Sequence, residues 1–230
     1  LDSFNLLMNF NLDFIKIPSG EITNLPLLRH ISKFSKNIIL STGMSEEVEI
    51  KNALRILRNK KRKIILLHCN TEYPTPLKDI NLNAMNYLKK KFKIDVGYSD
   101  HSLGLEVPIA AASLGATIIE KHFTISKKMR GPDHASSLSP EELLLMVRAI
   151  RKAELILGSS KKIVTKSEKK NISIARKSIF ASKKIKKGDI FSSSNLICLR
   201  PGYGISPMKI DSIYRKKSKK NYIKGQIITL

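Results

Sequence analysis

The sequence predicts an α/β protein made of the last five strands of a (β/α)8 TIM-type barrel, followed by a small, mostly β module. Three observations predict it. Up to about residue 158, short β-branched apolar runs alternate with helical segments, the pattern of parallel strands covered on both faces. Each run ends in polar residues. Beyond residue 158 the helical period stops and lysine accumulates.

The first run, "FIKIPSGE" (14–21), ends in Ser19 and Glu21, and the second, "NIILSTG" (37–43), in Ser41 and Thr42. Ser45 can cap the helix that follows, with Glu46 and Glu47 in its first turn and Ile50, Ala53, Leu54 and Leu57 as one apolar stripe. "KIILLHCN" (63–70) ends in His68 and Cys69, "DVGYSDH" (95–101) in Ser99 and His101, and "ATIIEKHF" (116–123) in Glu120 and His122. "SPEELLLMVRAIRKAELILG" opens with a capping box between Ser139 and Glu142, has Pro140 at its first helical position and closes on Gly158. Strands alternating with helices imply right-handed βαβ units. Five polar strand ends converging on one mouth favour a barrel over an open sheet, which concentrates its site at one switch point. A full barrel needs eight units, so the first three strands are expected to be missing, and the chain, which starts on Leu1, is read as a piece of a longer one.

The hydrophilic stretch 159–170, "SSKKIVTKSEKK", is expected to be a linker between a barrel part at 1–158 and a module at 171–230. The module's short strand-like pieces are separated by Lys-Gly-Asp and Pro-Gly turns. Hydrophobic residues make up 42% of the chain, enough for a sizeable core. Cys69 and Cys198 lie far apart with no metal or disulfide spacing, and no apolar stretch approaches the roughly 20 residues of a membrane span. A cytoplasmic location without membrane contact is expected. The net charge is +23, and from Ser159 onward 19 Lys and Arg face 3 acids. Those lysines come in runs without interleaved aromatics, so a solvated basic surface is favoured and nucleic acid is not the expected partner.

On a strand, Glu120 and His122 project to one side. With His101 at the neighbouring strand end, two imidazoles and a carboxylate could hold a divalent metal, or they could be polar strand ends without one. His68 is better read as a hydrogen-bonded structural residue. Lys16 and Glu21 form either a phosphate-binding cation with a polar clamp or a salt-bridged strand end. Arg130, Asp133 and His134 lie in the long loop after the fifth strand, where they could touch ligand, although "GPDH" is also an ordinary turn.

"KIPSGE", "ILSTGM", "LLHCNTEYPTP", "GYSDHSLG", "IIEKHFT", "GPDHASSLSPEE" and "RKSIFASKKIKKGD…LRPGYGI" together resemble, in order, the N-acetylneuraminate (sialic acid) synthase family with its C-terminal antifreeze-like (SAF) domain. The resemblance implies an enzyme that condenses phosphoenolpyruvate with an N-acyl amino sugar such as N-acetylmannosamine, giving a nine-carbon 2-keto acid and phosphate. By motif, His101 and His122 match the ligands of a divalent metal, manganese before magnesium or cobalt. Lys16, Ser19 and Ser99 match positions around the phosphoenolpyruvate phosphate, and Thr71 falls near its carboxylate. Tyr73, Glu21 and Asp133 match the sugar site. Lys16 and Glu120 are the expected catalytic residues of the mouth. Arg200 matches an arginine that the SAF domain lends to the partner subunit in a domain-swapped homodimer. The family's first three strands carry further phosphate contacts and a glutamate near the metal, so the chain alone is expected to be inactive and poorly stable. The alternative is a non-catalytic basic protein binding nucleic acid or an anionic glycan on the same scaffold, which steep salt dependence of binding would reveal.

Overall fold

A computed structural model of the chain describes residues 1–59 and 61–230. They form two units, Leu1–Gly158 and Ser159–Leu230. The first begins with α1 (Asp2–Met8) and then alternates β1 (Phe14–Ile17), α2 (Leu25–Ser32), β2 (Asn37–Ser41), α3 (Glu47–Leu57), β3 (Ile64–Cys69), α4 (Asn83–Phe92), β4 (Asp95–Asp100), α5 (Glu106–Ser113), β5 (Ile119–Lys121) and α6 (Pro140–Leu157). The five strands are parallel and lie in sequence order, leaving β1 and β5 as the two edges of the sheet. This is the five-strand part of a (β/α)8 barrel that the alternation of runs predicts.

Side-chain alternation divides the two faces of the sheet. Ile15, Ile17, Ile38, Leu40, Leu66 and Val96 point to one face, where they pack with Leu28, Leu54, Leu57 and Leu88 of the helices. Lys16, Ser41, Cys69, Ser99 and Glu120, each one position out of phase with that set, belong to the other. Gly97 lies on this second face because β5 passes too close for a side chain: a Cβ there would meet Ile118 O at 2.5 Å.

The capping box of α6 forms as the sequence predicts, with Ser139 Oγ accepting from Glu142 N at 3.3 Å and Glu142 accepting from Ser139 N at 2.8 Å. Three boundaries differ. The first run leaves strand geometry after Ile17, and Ser19 and Glu21 sit in a 3-10 turn that Pro18 opens. At α3 the cap is Glu46 rather than Ser45: Glu49 accepts from the Glu46 N–H at 2.8 Å, while Ser45 is drawn into the preceding turn and donates to Gly43 O. The fifth run pairs over three residues only, so His122 and Phe123 lie beyond β5.

The second unit holds the one-turn helices α7 (Lys166–Lys169) and α8 (Ile172–Ala175) and the antiparallel pair β6 (Ser178–Ala181) and β7 (Leu196–Leu199). Thr165 caps α7, so the stretch 159–170 is partly helical. Ile179, Ile185, Phe191, Ile213, Tyr222 and Ile228 form a core of its own. No helix among the described residues is long and apolar enough to cross a membrane.

Candidate functional site

The C-terminal ends of the strands open on a cavity of about 310 Å³. β1 brings Lys16, and the turn after it Ser19; β2 brings Ser41, β3 Cys69, β4 Ser99 and β5 Glu120, with His101 and His122 one residue beyond their strands. Thr71 and Tyr73 enter from the loop after β3. Register makes the arrangement. Cys69 pairs with Ser99 and Ser99 with Glu120, so three neighbouring strands point polar groups into one space at the same level.

Glu120 Oε1 accepts from Ser99 Oγ at 2.8 Å and lies 3.3 Å from Lys16 Nζ. The side chains of the ion pair are 32% and 41% exposed, so both are accessible to a ligand. Ser19 Oγ accepts from Gly43 N at 2.9 Å and contacts Cys69 Sγ at 3.3 Å. A Cβ on Gly43 would press on Thr71, Ser19 and Cys69 at 2.8–3.0 Å, so glycine lets the chain approach and fix the serine.

His101 donates from Nδ1 to Asn70 O at 2.6 Å, which fixes its tautomer and makes Nε2 an acceptor, with Ser99 Oγ at 3.3 Å from it. That nitrogen lies 3.1 Å from Tyr73 Oη, and the Tyr73 ring stacks on the imidazole at 4.0 Å between centroids. Burial pushes the His101 pKa down, with the charge of His122 adding to it and the bond to Asn70 opposing it. Burial, and then the negative charges around it, push the Tyr73 phenol up. His122 stands edge-on to His101 at 5.4 Å, and its Nδ1 is 3.7 Å from Asp133 Oδ2.

Among the described residues no group of three or more His, Cys, Asp or Glu is arranged to hold a metal ion. The two imidazoles fit two ligand positions for a divalent metal: burial favours the uncharged form of His101, whose Nε2 a metal would take over from the Tyr73 and Ser99 hydroxyls, and the ring of His122 is part-exposed beside it. Water or a ligand oxygen would have to supply the rest.

The structure does not gather every residue singled out by sequence. Glu21 accepts from Asn24 at 2.6 Å and lines a separate cavity beside α1 and α2. Asp133 is exposed, touching the mouth only through His122. His134 turns to Thr124 Oγ1 at 2.8 Å and braces its own loop. Arg130 is exposed. His68 points away from the mouth, with Nε2 donating to Ile80 O at 2.9 Å. Arg200 lies in the second unit, donating from Nε to Ala175 O at 2.8 Å. Two residues that bring polar side chains to the cavity were not among the sequence candidates. Ser41, 3% exposed, has a hydroxyl without a hydrogen-bond partner among the described residues, and Cys69 touches Ser19. The polar end of the "NIILS" run was the available signal for Ser41.

Residues 1–162 match the model of the NeuB family, and residues 176–230 that of the SAF domain. The chain belongs to the NeuB family. It is 51% identical over 231 residues to the N,N'-diacetyllegionaminic acid synthase of Campylobacter jejuni, covering 99% of this chain and 69% of that protein. Against the synthase of the same name from Legionella pneumophila it is 40% identical, covering 97% of this chain and 64% of that protein. The crystal structure of N-acetylneuraminic acid (sialic acid) synthetase from Leptospira borgpetersenii, in complex with citrate, superposes with a TM-score of 0.70 at 38% identity, over 75% of this chain and 60% of that one. This NeuB-family chain therefore spans about two thirds of the length of the curated relatives it matches.

Proposed function

We propose that this NeuB-family chain supplies the phosphate-binding and metal-binding half of a synthase that condenses phosphoenolpyruvate with an N-acyl amino sugar. The supporting observation is the joining of Lys16, Ser19, Ser41, Ser99 and Glu120 with His101 and His122 around one cavity. An ammonium and three hydroxyls suit a phosphoryl group, whose charge would draw Lys16 Nζ away from Glu120. Glu120, released, would accept from Ser99 or from a hydroxyl of the acceptor and orient it. Tyr73, stacked on His101, would wall the sugar side and exclude water. His101 and His122 would hold manganese, magnesium or cobalt, and a bound metal of this kind supplies Lewis-acid polarisation of a carbonyl oxygen. Asp133, beside His122, would meet a sugar hydroxyl. Arg200 would act in a partner subunit of a domain-swapped dimer.

The acceptor class to assay first is the one that leads to N,N'-diacetyllegionaminic acid, because two relatives of that name match nearly the whole chain. The test measures phosphate release and 2-keto acid formation from phosphoenolpyruvate with a panel of N-acyl amino sugars, using both the encoded protein and the 230-residue chain. Metal-dependent product from the encoded protein, lost in Lys16→Ala, is expected. No product with any acceptor would refute the reading. The basic surface of residues 159–230 supports the binding-protein alternative less well, since anion binding there would need neither histidine.

A further inference from the structure

We propose that the buried Asp100–Lys121 ion pair is the positioning device of the two mouth histidines, setting the separation of His101 and His122 through the register of β4 and β5. The proposal rests on those histidines acting as a ligand pair. Asp100 and Lys121 are the last register pair of the two strands, and each immediately precedes one histidine. Their side chains are 0% and 2% exposed and lie on the face opposite the mouth. Lys121 Nζ donates to Asp100 Oδ2 at 2.5 Å and to Ser102 O at 2.6 Å. Asp100 Oδ1 accepts from Ser102 N at 3.0 Å and from Ser102 Oγ at 2.7 Å. The chain is thus clamped on both sides of His101, and the same ammonium ties the residue before His122 to that clamp.

Two features make the clamp more than a packing detail. β5 pairs over three residues at the edge of the sheet, a pairing too short to define its own register strongly, and a slip of one residue would turn Glu120 away from the mouth. A buried ion pair is a poor source of stability compared with apolar side chains of similar volume, but it accepts only one alignment. Among the described residues no hydrogen bond within 3.5 Å holds the His122 ring, whose Nδ1 is 3.7 Å from the exposed Asp133. The place of that imidazole therefore depends on the backbone beneath it, held on the β4 side by the Lys121 clamp and on the other by Leu138 N donating to His122 O at 2.9 Å, and ligand groups must be held to within about 0.5 Å.

The test uses the 230-residue chain with Asp100→Leu and Lys121→Met combined, which removes both charges and leaves neither unpaired. Cobalt(II) is the probe, titrated by its visible absorption, alongside the melting temperature and the 15N spectra of the imidazoles without metal. The double variant should melt at or above the wild-type temperature, bind cobalt about 10–100-fold more weakly, and show His122 resonances split or broadened. Ser102→Ala, which removes one donor to the buried carboxylate and leaves the ion pair in place, should weaken cobalt binding and broaden the His122 resonances in the same way by less. A folded double variant with unchanged cobalt affinity and unchanged imidazole spectra would overturn the proposal. If the wild-type chain binds no cobalt, the metal reading falls and the imidazole spectra alone decide this one. If the double variant does not fold, Ser102→Ala decides it by the same spectra.

Discussion

Gly97→Ala is a one-methyl change in the middle of β4, and the structure predicts an effect much larger than its size. The new Cβ would stand 2.5 Å from Ile118 O, 2.7 Å from Leu67 Cδ2 and 3.0 Å from Ile118 Cβ. The leucine methyl can turn aside, but the carbonyl belongs to the backbone entering β5. To reach an ordinary contact of 3.4 Å it must retreat by about 0.9 Å. That same oxygen accepts from Tyr98 N at 2.9 Å, the backbone hydrogen bond that opens the β4–β5 pairing. A retreat along that line breaks the bond, costing roughly 0.5–1.5 kcal/mol. Overpacking adds about 1–3 kcal/mol, so the first unit should lose roughly 2–4 kcal/mol. The shift also exceeds the tolerance of a ligand pair, because β5 carries Glu120 and leads into His122. Amide hydrogen exchange reads the local effect at Tyr98, urea unfolding followed by circular dichroism the global one, and cobalt titration the effect at the mouth. Unchanged protection at Tyr98 with an unchanged unfolding midpoint would refute the reasoning.

Three further outcomes are expected. His101→Ala removes the imidazole whose Nε2 is held ready by the bond to Asn70, and isothermal titration should then detect no manganese binding. Burial lowers the His68 pKa from 6.5, so below that value the unfolded chain binds a proton that the folded chain refuses; stability should fall as pH drops through 6.5 and below, and His68→Gln should flatten that slope in urea midpoints taken between about pH 5 and 8. Leu66→Ala, at a fully buried position of β3, should cost about 3–5 kcal/mol of unfolding free energy, measured by chemical denaturation of the first unit.

The strands were legible because each is a short apolar run that no helix of ordinary length could accommodate, and α6 because its cap, proline and closing glycine agree. The opening helix α1 was not, since "DSFNLLM" offers no side-chain cap and only 7 residues of pattern, about two turns. The Ser45 cap failed for a local reason: a serine next to two glutamates competes with them, and the carboxylate of Glu49 reached the Glu46 N–H. At the mouth, spacing revealed which residues end strands but not which way each turns. Glu21 and His134 do not line the cavity that Lys16 and His122 line, because the backbone turns after Pro18 and the His134 ring is drawn to Thr124. The Asp100–Lys121 pair escaped because sequence shows two charges without showing that both are buried.

The unmatched hydroxyl of Ser41 has its own consequence. Its removal from water is complete once the chain folds, before any ligand arrives. A ligand oxygen would reach it only with a shift of the cavity wall, and would then gain a hydrogen bond without the usual exchange against solvent. The folded chain thus carries the cost of one unpaired hydroxyl in the wall of its cavity, a cost incurred during folding rather than on binding.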